Sequence, residues 1–218
     1  GPIALELQAA FVSDWFLETG KMLTDSRIFP TPTVKGDIIA QGLLSGPGFP
    51  APNFQRMTVA LMHGARTRVV ITTPYFVPDE AVLQAMETAV LRGVEVHLVV
   101  AKSVDQILVR LAQRSYYQGL LEAGVHIDLY RKKFLHAKHL TIDQDIALVG
   151  SSNMDIRSFL LNSEFSLLFY GPEVPTLIRL EQERYYADCE TLLLEDWQRR
   201  SLREKIVENL ARLVNPLL

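Results

Sequence analysis

Short runs of apolar and β-branched residues alternate along the chain with segments of helical length. The runs at 68–73 (RVVITT), 94–100 (VEVHLVV) and 125–130 (VHIDLY) each have the length of a strand, and prolines or glycines flank them. Strands that alternate with helices pack as a sheet covered by helices. We therefore predict an α/β fold in which a mixed β-sheet is flanked by helices on both faces. Further strands are predicted at 37–44, 135–142, 146–150 and 164–170, and helices at 3–19, 53–64, 80–92, 105–123 and from about 174 to the end.

The segment 21–36 has the composition of a linker, because it contains Pro30, Pro32 and Gly36. A boundary between domains is expected here. The predicted domains are 1–24, the closing helix of an upstream domain that this chain lacks, and 30–218, a second domain that ends in C-terminal helices.

The charge balance narrows the classes of partner. The 218 residues include 22 Lys and Arg against 25 Asp and Glu, a formal net charge of −3. Proteins that bind nucleic acid usually show a basic excess or a basic stripe. The densest basic run here is Arg131-Lys132-Lys133, which is too short for that role. We therefore expect no nucleic acid among the partners.

The cysteine content limits covalent and metal chemistry. With Cys189 as its only cysteine, the chain cannot form an internal disulfide or a cysteine-based metal site. This usage fits a reducing compartment. No apolar stretch in the sequence approaches the roughly 20 residues that cross a bilayer as a helix.

The segment from His136 to Asp143 (HAKHLTID) combines groups that suit a phosphodiester. Residues two apart on a strand face the same side, so His136 and Lys138 are predicted to share one cleft while Asp143 points away. The imidazole can attack phosphorus or protonate a leaving oxygen, and the ammonium can stabilise charge on the non-bridging oxygens. After the next strand, the small residues between Gly150 and Asn153 let backbone amides and the Asn amide approach a phosphate.

A metal site built from His136, His139 and Asp143 is the alternative for the same segment. It would require all three side chains to converge, which the alternation of a strand opposes. We therefore expect no metal and no cofactor, and a structural role for His139.

These residues resemble the HxKxxxxD…GSxN signature of the phospholipase D superfamily. The match includes the spacing from Asp143 to Gly150 and extends over nearly the whole chain to phrases that look like bacterial cardiolipin synthases. Those phrases are Asp14-Trp15…Glu18-Thr19-Gly20, Ser45-Gly46-Pro47-Gly48, Thr73-Pro-Tyr-Phe-Val-Pro78, Asp155-Ile-Arg157-Ser158 and Asn162-Ser-Glu164.

The resemblance implies a phospholipase D-like domain and a role for each motif residue. His136, Lys138 and Asp143 would be the catalytic motif, with Asp143 in a structural role away from the phosphate. One His of such an enzyme forms a phosphohistidine and the other is the acid and base; we expect His136 to be the latter. Three further roles are implied: Lys138, Ser151 and Asn153 would bind the phosphate, and Glu164 would hold a histidine in its required tautomer.

The resemblance also implies a reaction and its setting. Two phosphatidylglycerol molecules would give cardiolipin and glycerol, at the bacterial cytoplasmic membrane and without a cofactor. The expected partners are the two lipids, the membrane surface and an upstream HKD domain of the same polypeptide.

The chain departs from the family pattern in having a single HKD motif, since no other histidine is followed by the required lysine. It therefore supplies one of two half-sites. The alternative is a single-HKD phosphodiesterase, a phospholipase D or nuclease, that is active as a homodimer. A non-enzymatic interaction module is the third hypothesis.

For three features the sequence leaves two interpretations open. Arg157 could reach a lipid phosphate or pair with an acid, and Tyr75 could line a lipid cleft or pack in the core. The apolar residues of the last helix could contact a membrane or, as we favour, pack on their own domain, because the polar face of that helix mixes both signs. These apolar residues are Leu202, Ile206, Val207, Leu210, Leu213 and Val214.

Overall fold

The computed structural model describes residues 1–132 and 134–213. Lys133 of the basic run and residues 214–218 at the end of the predicted second domain, including Val214, lie outside the described residues. The strands are β1 (Ile39–Ser45), β2 (Arg68–Thr73), β3 (Phe76–Val77), β4 (Glu95–Ala101), β5 (His126–Tyr130), β6 (His139–Ile142), β7 (Ile146–Gly150), β8 (Met154–Asp155), β9 (Glu164–Tyr170) and β10 (Cys189–Thr191). The helices are α1 (Ile3–Thr19), α2 (Asn53–Gly64), α3 (Glu80–Leu91), α4 (Ile107–Ala123), α5 (Ile156–Leu160), α6 (Glu173–Ala187), α7 (Leu194–Gln198) and α8 (Leu202–Arg212).

One mixed sheet organises the domain, as predicted. Its eight strands run in the order β1-β9-β7-β6-β2-β4-β5-β10. The pairs β2–β4 and β4–β5 are parallel and the other neighbours are antiparallel. β2 and β4 lie in the middle, where Val69, Ile71 and Leu98 are fully buried. Strands covered on both faces need continuous apolar runs rather than alternation, and RVVITT is such a run.

Helices cover both faces of this sheet. On one face α6 contacts β5, β6, β7 and β9, and on the other α3 packs on β4 and α4 on β5. The side chain of Asp79 caps α3 by accepting the amide of Val82 at 3.0 Å. α2 packs on α3, while α7 and α8 pack on the outer side of α4.

A buried acid fixes α8 to α4. The carboxylate of Glu208 accepts from Nε of Arg114 at 2.7 Å and from Nη1 of Arg200 at 2.5 Å. The guanidinium of Arg200 also lies over the ring of Trp197, 3.4 Å from its centroid. The inner side of α8 is therefore held by an ion-pair network as well as by apolar contacts.

The first helix lies beside the edge strand β1. The carboxylate of Glu6 accepts from the amide of Gly42 at 2.8 Å. Ala10 is the one buried residue of α1, and Phe11 and Trp15 are exposed. The assignment of residues 1–24 to an upstream domain stays a prediction.

Candidate active site

The hairpin of β6 and β7 brings the two halves of the motif to one edge of the sheet. In this antiparallel pair His139 lies opposite Val149, so the residues before β6 lie beside those after β7. The amide of Gly150 donates to the carbonyl oxygen of Lys138 at 3.2 Å. The parallel strands end at this edge too, since Thr72 of β2 pairs with His139. Open α/β sheets bind ligands at the carboxyl ends of such strands.

Gly150 is required by the close approach of β9. A Cβ at this position would lie 2.5 Å from the carbonyl oxygen of Phe165 and 2.6 Å from Cα of Ser166. Directly after it, the amide of Ser151 donates to the carbonyl oxygen of Phe165 at 3.0 Å. The glycine therefore lets two strands meet at the point where the phosphate-binding segment begins.

His136 and Lys138 precede β6 rather than lie within it, which corrects the expectation from strand parity. The exposed imidazole of His136 stacks on Phe134, with ring centroids 5.2 Å apart. The side chain of Lys138 turns back, and its ammonium donates to the carbonyl oxygen of His136 at 3.0 Å. The two side chains border different cavities, and a cleft shared by both stays a prediction.

His136 borders a cavity of about 160 Å³ together with Tyr75 and Asp105. The hydroxyl of Tyr75 donates to the carboxylate of Asp105 at 2.9 Å. Burial, and then the bond to Asp105, raise the pKa of Tyr75, so its phenol stays a hydrogen-bond donor. Tyr75 lines this cavity and also packs against the hydrophobic core, so both readings for this residue agree with the structure.

The ammonium of Lys138 lies in an acidic and partly buried environment. Burial lowers the pKa of Lys138, and the carboxylates of Glu164 and Asp155 oppose that shift. The stem of Lys138 borders a gap of about 10 Å³ with Thr73 and Ser152. Because the gap admits at most about one water molecule, it is too small to hold a substrate.

Asn153 is positioned by its neighbours on the same loop. The backbone N–H of Asn153 donates to Oγ of Ser158 at 3.0 Å. Burial raises the pKa of Asp155, whereas hydrogen bonds from Ser158 and from the side chain of Asn153 act to lower it. The amide nitrogen of Asn153 has two hydrogens, so one remains for a ligand after the bond to Asp155.

Glu164 contacts hydroxyl and amide groups rather than a histidine. It accepts from Oγ of Ser151, from Oγ of Ser158 at 3.2 Å and from Nδ2 of Asn162 at 3.3 Å. The expected contact of Glu164 with a histidine is not among the hydrogen bonds of the described residues, and that role stays a prediction. Glu164 instead ties the start of β9 to the loop that follows β7.

Asp143 lies at the other end of the hairpin, in its turn, with φ of 50°. Its carboxylate accepts from the amides of Arg66 at 3.0 Å, Thr67 at 2.8 Å and Arg68 at 2.9 Å. Partial burial acts to raise the pKa of Asp143, but these hydrogen bonds outweigh that effect and lower the pKa. The structure therefore separates Asp143 from the other motif residues, and the turn rather than strand parity is the reason.

The side chains considered for a metal site diverge. Nδ1 of His139 lies 3.3 Å from the amide nitrogen of Gln182, which also donates to Thr141. His136 is at the sheet edge and Asp143 is in the turn. In the described part of the chain, no group of three or more His, Cys, Asp or Glu side chains has an arrangement that could hold a metal.

Residues 58–185 match the family model of the cardiolipin synthase, PLD-like domain. The chain belongs to this phospholipase D-like family. The match contains β2 to α6 and therefore every motif residue described above. The sequence-based assignment to the family and the predicted fold class are both confirmed.

Relatives of similar sequence are cardiolipin synthases A. The one from Serratia proteamaculans is 37% identical over 222 residues, and the one from Buchnera aphidicola is 35% identical over 224 residues. Each alignment covers 100% of this chain and 46% of the relative. The chain thus spans about half the length of these phospholipase D-like proteins.

Solved structures show the same fold at low sequence identity. A phosphatidylserine synthase from Haemophilus influenzae has a TM-score of 0.66 at 17% identity, over 93% of this chain and 52% of that one. Nuc from Salmonella typhimurium, a phospholipase D family member, has a TM-score of 0.62 at 16% identity, over 72% of this chain and 99% of that one. These likenesses establish the phospholipase D-like fold alone.

Two residues at the site were missed by the sequence analysis. Asp105, the partner of Tyr75, follows β4 by a few residues, and Phe134 stacks on His136. The rule that ligands bind beyond the carboxyl ends of parallel strands would have pointed to Asp105. No sequence pattern marks Phe134.

Proposed function

We propose that this chain supplies one half-site of a phosphatidyltransferase that makes cardiolipin and glycerol from two molecules of phosphatidylglycerol. The observation that carries the proposal is the hairpin. It gathers His136, Lys138 and Asn153 at one edge of the sheet, although they come from two separate segments. The names of the relatives support the choice of cardiolipin as product.

The proposed reaction has two displacements at phosphorus. A histidine of the other half-site attacks the phosphodiester, and His136 gives a proton to the leaving glycerol oxygen. His136 then takes the proton from the glycerol hydroxyl of a second phosphatidylglycerol as that oxygen attacks the phosphohistidine. Lys138, Asn153 and Ser151 bind the non-bridging oxygens through each transition state. Glu164 and Asp155 hold these groups in place.

The setting of the reaction is part of the proposal. The other half-site belongs to an upstream HKD domain of the same polypeptide, and the relatives' greater length leaves room for it. We propose a location at the bacterial cytoplasmic membrane. Among the described residues, no helix has the length and apolar character to cross a bilayer.

Substitution of His136 tests the proposal in a polypeptide that joins this chain to its upstream half. We expect His136→Ala and His136→Asn each to lower cardiolipin formation by roughly two orders of magnitude or more, because both remove the acid and base. The measurement is chromatography of lipids formed from phosphatidylglycerol.

The matched control is His63→Asn, which changes an exposed histidine on α2. Circular dichroism checks that each variant is folded. Activity of the His136 variants within about tenfold of wild type would refute the assigned role.

A further inference from the structure

The apolar side chains of α8 face away from the domain. Residues of a helix are about 100° apart, so the buried Glu208 and Ala211 lie roughly opposite the apolar positions. The sequence analysis favoured packing of these residues on their own domain, and the structure shows the reverse. The α8 apolar stripe consists of Leu202, Ile206, Leu210 and Leu213, whose exposed fractions are 76%, 58%, 58% and 75%.

The two acids of α8 lie away from its apolar stripe. Glu208 is buried between two arginines, and Glu204, which is exposed and forms a capping box with Ser201, lies on the opposite side of the helix. The remaining charges are Arg203, Lys205 and Arg212, and they flank the stripe on both sides by the helical angle. The mixed signs in the sequence had argued against a membrane contact, but the charges of α8 next to the stripe are all positive.

A groove between α4 and α8 opens beside the stripe. It has a volume of about 590 Å³, and Arg110, Arg203 and Val207 are among its lining residues. Arg110 and Arg203 have no ion pair among the described residues, whereas Lys102 in the same groove pairs with Glu190. The groove thus offers free guanidinium groups next to exposed apolar side chains.

We propose that α8 is an interfacial helix that docks this chain on an anionic phospholipid surface. The stripe enters the boundary between headgroups and acyl chains, and the flanking cations bind lipid phosphates. The 11 residues of α8 form a rod about 16 Å long, which can lie in the plane of a membrane. A protein partner would need no ring of cations around an apolar stripe, whereas an anionic bilayer matches both features.

Sedimentation of this chain with lipid vesicles tests the proposal. The assay requires no turnover, so its result is separate from that of the proposed function. The probes are phosphatidylcholine vesicles with and without about 30% phosphatidylglycerol. We expect tighter binding to the anionic vesicles. A triple substitution, Leu202→Ser with Ile206→Ser and Leu210→Ser, should weaken that binding at least about tenfold, because it removes the apolar contact.

Charge is tested by a second variant, Arg203→Gln with Lys205→Gln. Each cation near an anionic surface contributes about 1 kcal/mol, and about 1.4 kcal/mol corresponds to tenfold. This double variant should therefore weaken binding to anionic vesicles about 30-fold and leave binding to neutral ones unchanged. Equal binding of wild type to neutral and anionic vesicles would contradict the charge argument.

The matched control replaces equally exposed apolar residues of α6, Leu177→Ser with Leu180→Ser, whose wild-type exposed fractions are 65% and 59%. It should bind as wild type does. The proposal is overturned if this control loses binding equally, or if substitution of Phe11 and Trp15 on α1 abolishes binding while the α8 variant keeps it. If the wild type formed a dimer without lipid and the α8 substitutions abolished that dimer, the stripe would be a contact with a second copy of the chain. That outcome would also overturn the proposal.

A fluorophore gives a measurement that does not depend on loss of binding. With Cys189 changed to Ser, an environment-sensitive label at Ile206→Cys should shift to the blue when anionic vesicles are added. The same label at Leu177→Cys should not shift. No shift at position 206 under conditions where the chain sediments with the vesicles would refute the docking.

Discussion

At the scale of single residues, Asp143 shows that a motif residue need not touch the chemistry. Its carboxylate binds the backbone where β2 begins, at the opposite end of the hairpin from His136. The positive φ of Asp143 is a conformation that Asp adopts more readily than most side chains. Its place in the motif is therefore explained by the geometry of the turn.

We predict that Asp143→Ala lowers the free energy of unfolding by about 2 kcal/mol, because it leaves several amides without an acceptor. Urea denaturation measures this change. Asp145→Ala, an exposed acid in the same turn, is the control and should have little effect. If Asp143→Ala kept wild-type stability and still lost activity, Asp143 would have a chemical role instead.

The pKa of the buried His139 predicts that the free energy of unfolding depends on pH. Burial lowers its pKa from 6.5 to about 4. Between these values the unfolded state binds a proton that the folded state does not, so the free energy of unfolding falls as pH falls from 6.5 toward 4. One pKa unit corresponds to about 1.4 kcal/mol, so the loss by pH 4.5 is about 2 kcal/mol.

Substitution of His139 checks that sign. His139→Gln should reduce the difference between the free energies of unfolding at pH 7 and pH 4.5 by about 2 kcal/mol, because the proton-binding group is gone. Urea denaturation at the two pH values gives this difference. His63→Gln controls for the loss of an exposed imidazole. A variant whose stability kept the wild-type pH dependence would show that other groups cause it.

At the scale of secondary-structure elements, α8 depends on Glu208 for its attachment. We predict that Glu208→Ala lowers the free energy of unfolding by about 3 kcal/mol, since it leaves Arg114 and Arg200 without their buried acid. Thermal or urea denaturation tests this. Glu87→Ala, at an exposed position of α3, is the matched control. Equal stability of the two variants would mean that apolar contacts alone hold α8.

The strands with clear chemical boundaries could be predicted from the sequence. The expected 146–150 and 164–170 agree with β7 and β9, and the runs at 68–73 and 94–100 agree with β2 and β4 to within one residue. Each of these segments has a glycine or proline at one end, namely Pro74, Gly93, Gly150 or Gly171, so local sequence decides that end.

The start of β6 could not be predicted, because it depends on a neighbouring strand. His139 pairs with Thr72, so extension of the ladder toward His136 would place Ala137 opposite Pro74, which has no amide hydrogen to donate. The direction of the His136 and Lys138 side chains is consequently set by a loop. β10 was missed for a similar reason, since it is three residues long and forms by pairing with β5.

The chemistry of the site was predicted better than its contacts. The motif identified His136, Lys138 and Asn153, and the hairpin brings their segments together. The partners of Glu164 were not predictable, because they come from the loop after β7 and from α5. Spacing along a chain specifies residue types, whereas hydrogen-bond partners depend on packing.

At the scale of the whole molecule, one imidazole cannot occupy both sides of a phosphorus atom. In-line displacement needs a nucleophile and an acid roughly opposite each other. This chain has one HKD motif, and it spans about half the length of its relatives. In the proposed reaction the other group comes from outside the chain.

We therefore predict that the 218-residue chain alone forms no cardiolipin from phosphatidylglycerol micelles. Lipid chromatography, with sedimentation run in parallel, is the measurement. The matched comparison is the same chain joined to its upstream half. Turnover by a monomer would contradict the half-site argument, and turnover by a dimer alone would favour the homodimeric phosphodiesterase.

The length of the β6–β7 hairpin has a genetic consequence. Its turn and its open end are separated by about 15 Å, since five residues of extended chain rise about 3.3 Å each. Asp143 at the turn binds backbone amides, and His136 at the open end is the proposed acid and base. In a random mutant library, substitutions at the two ends of this hairpin should therefore give different phenotypes. Alleles at the turn should be temperature-sensitive and rescued by growth in the cold, and alleles at the open end should be null at every temperature.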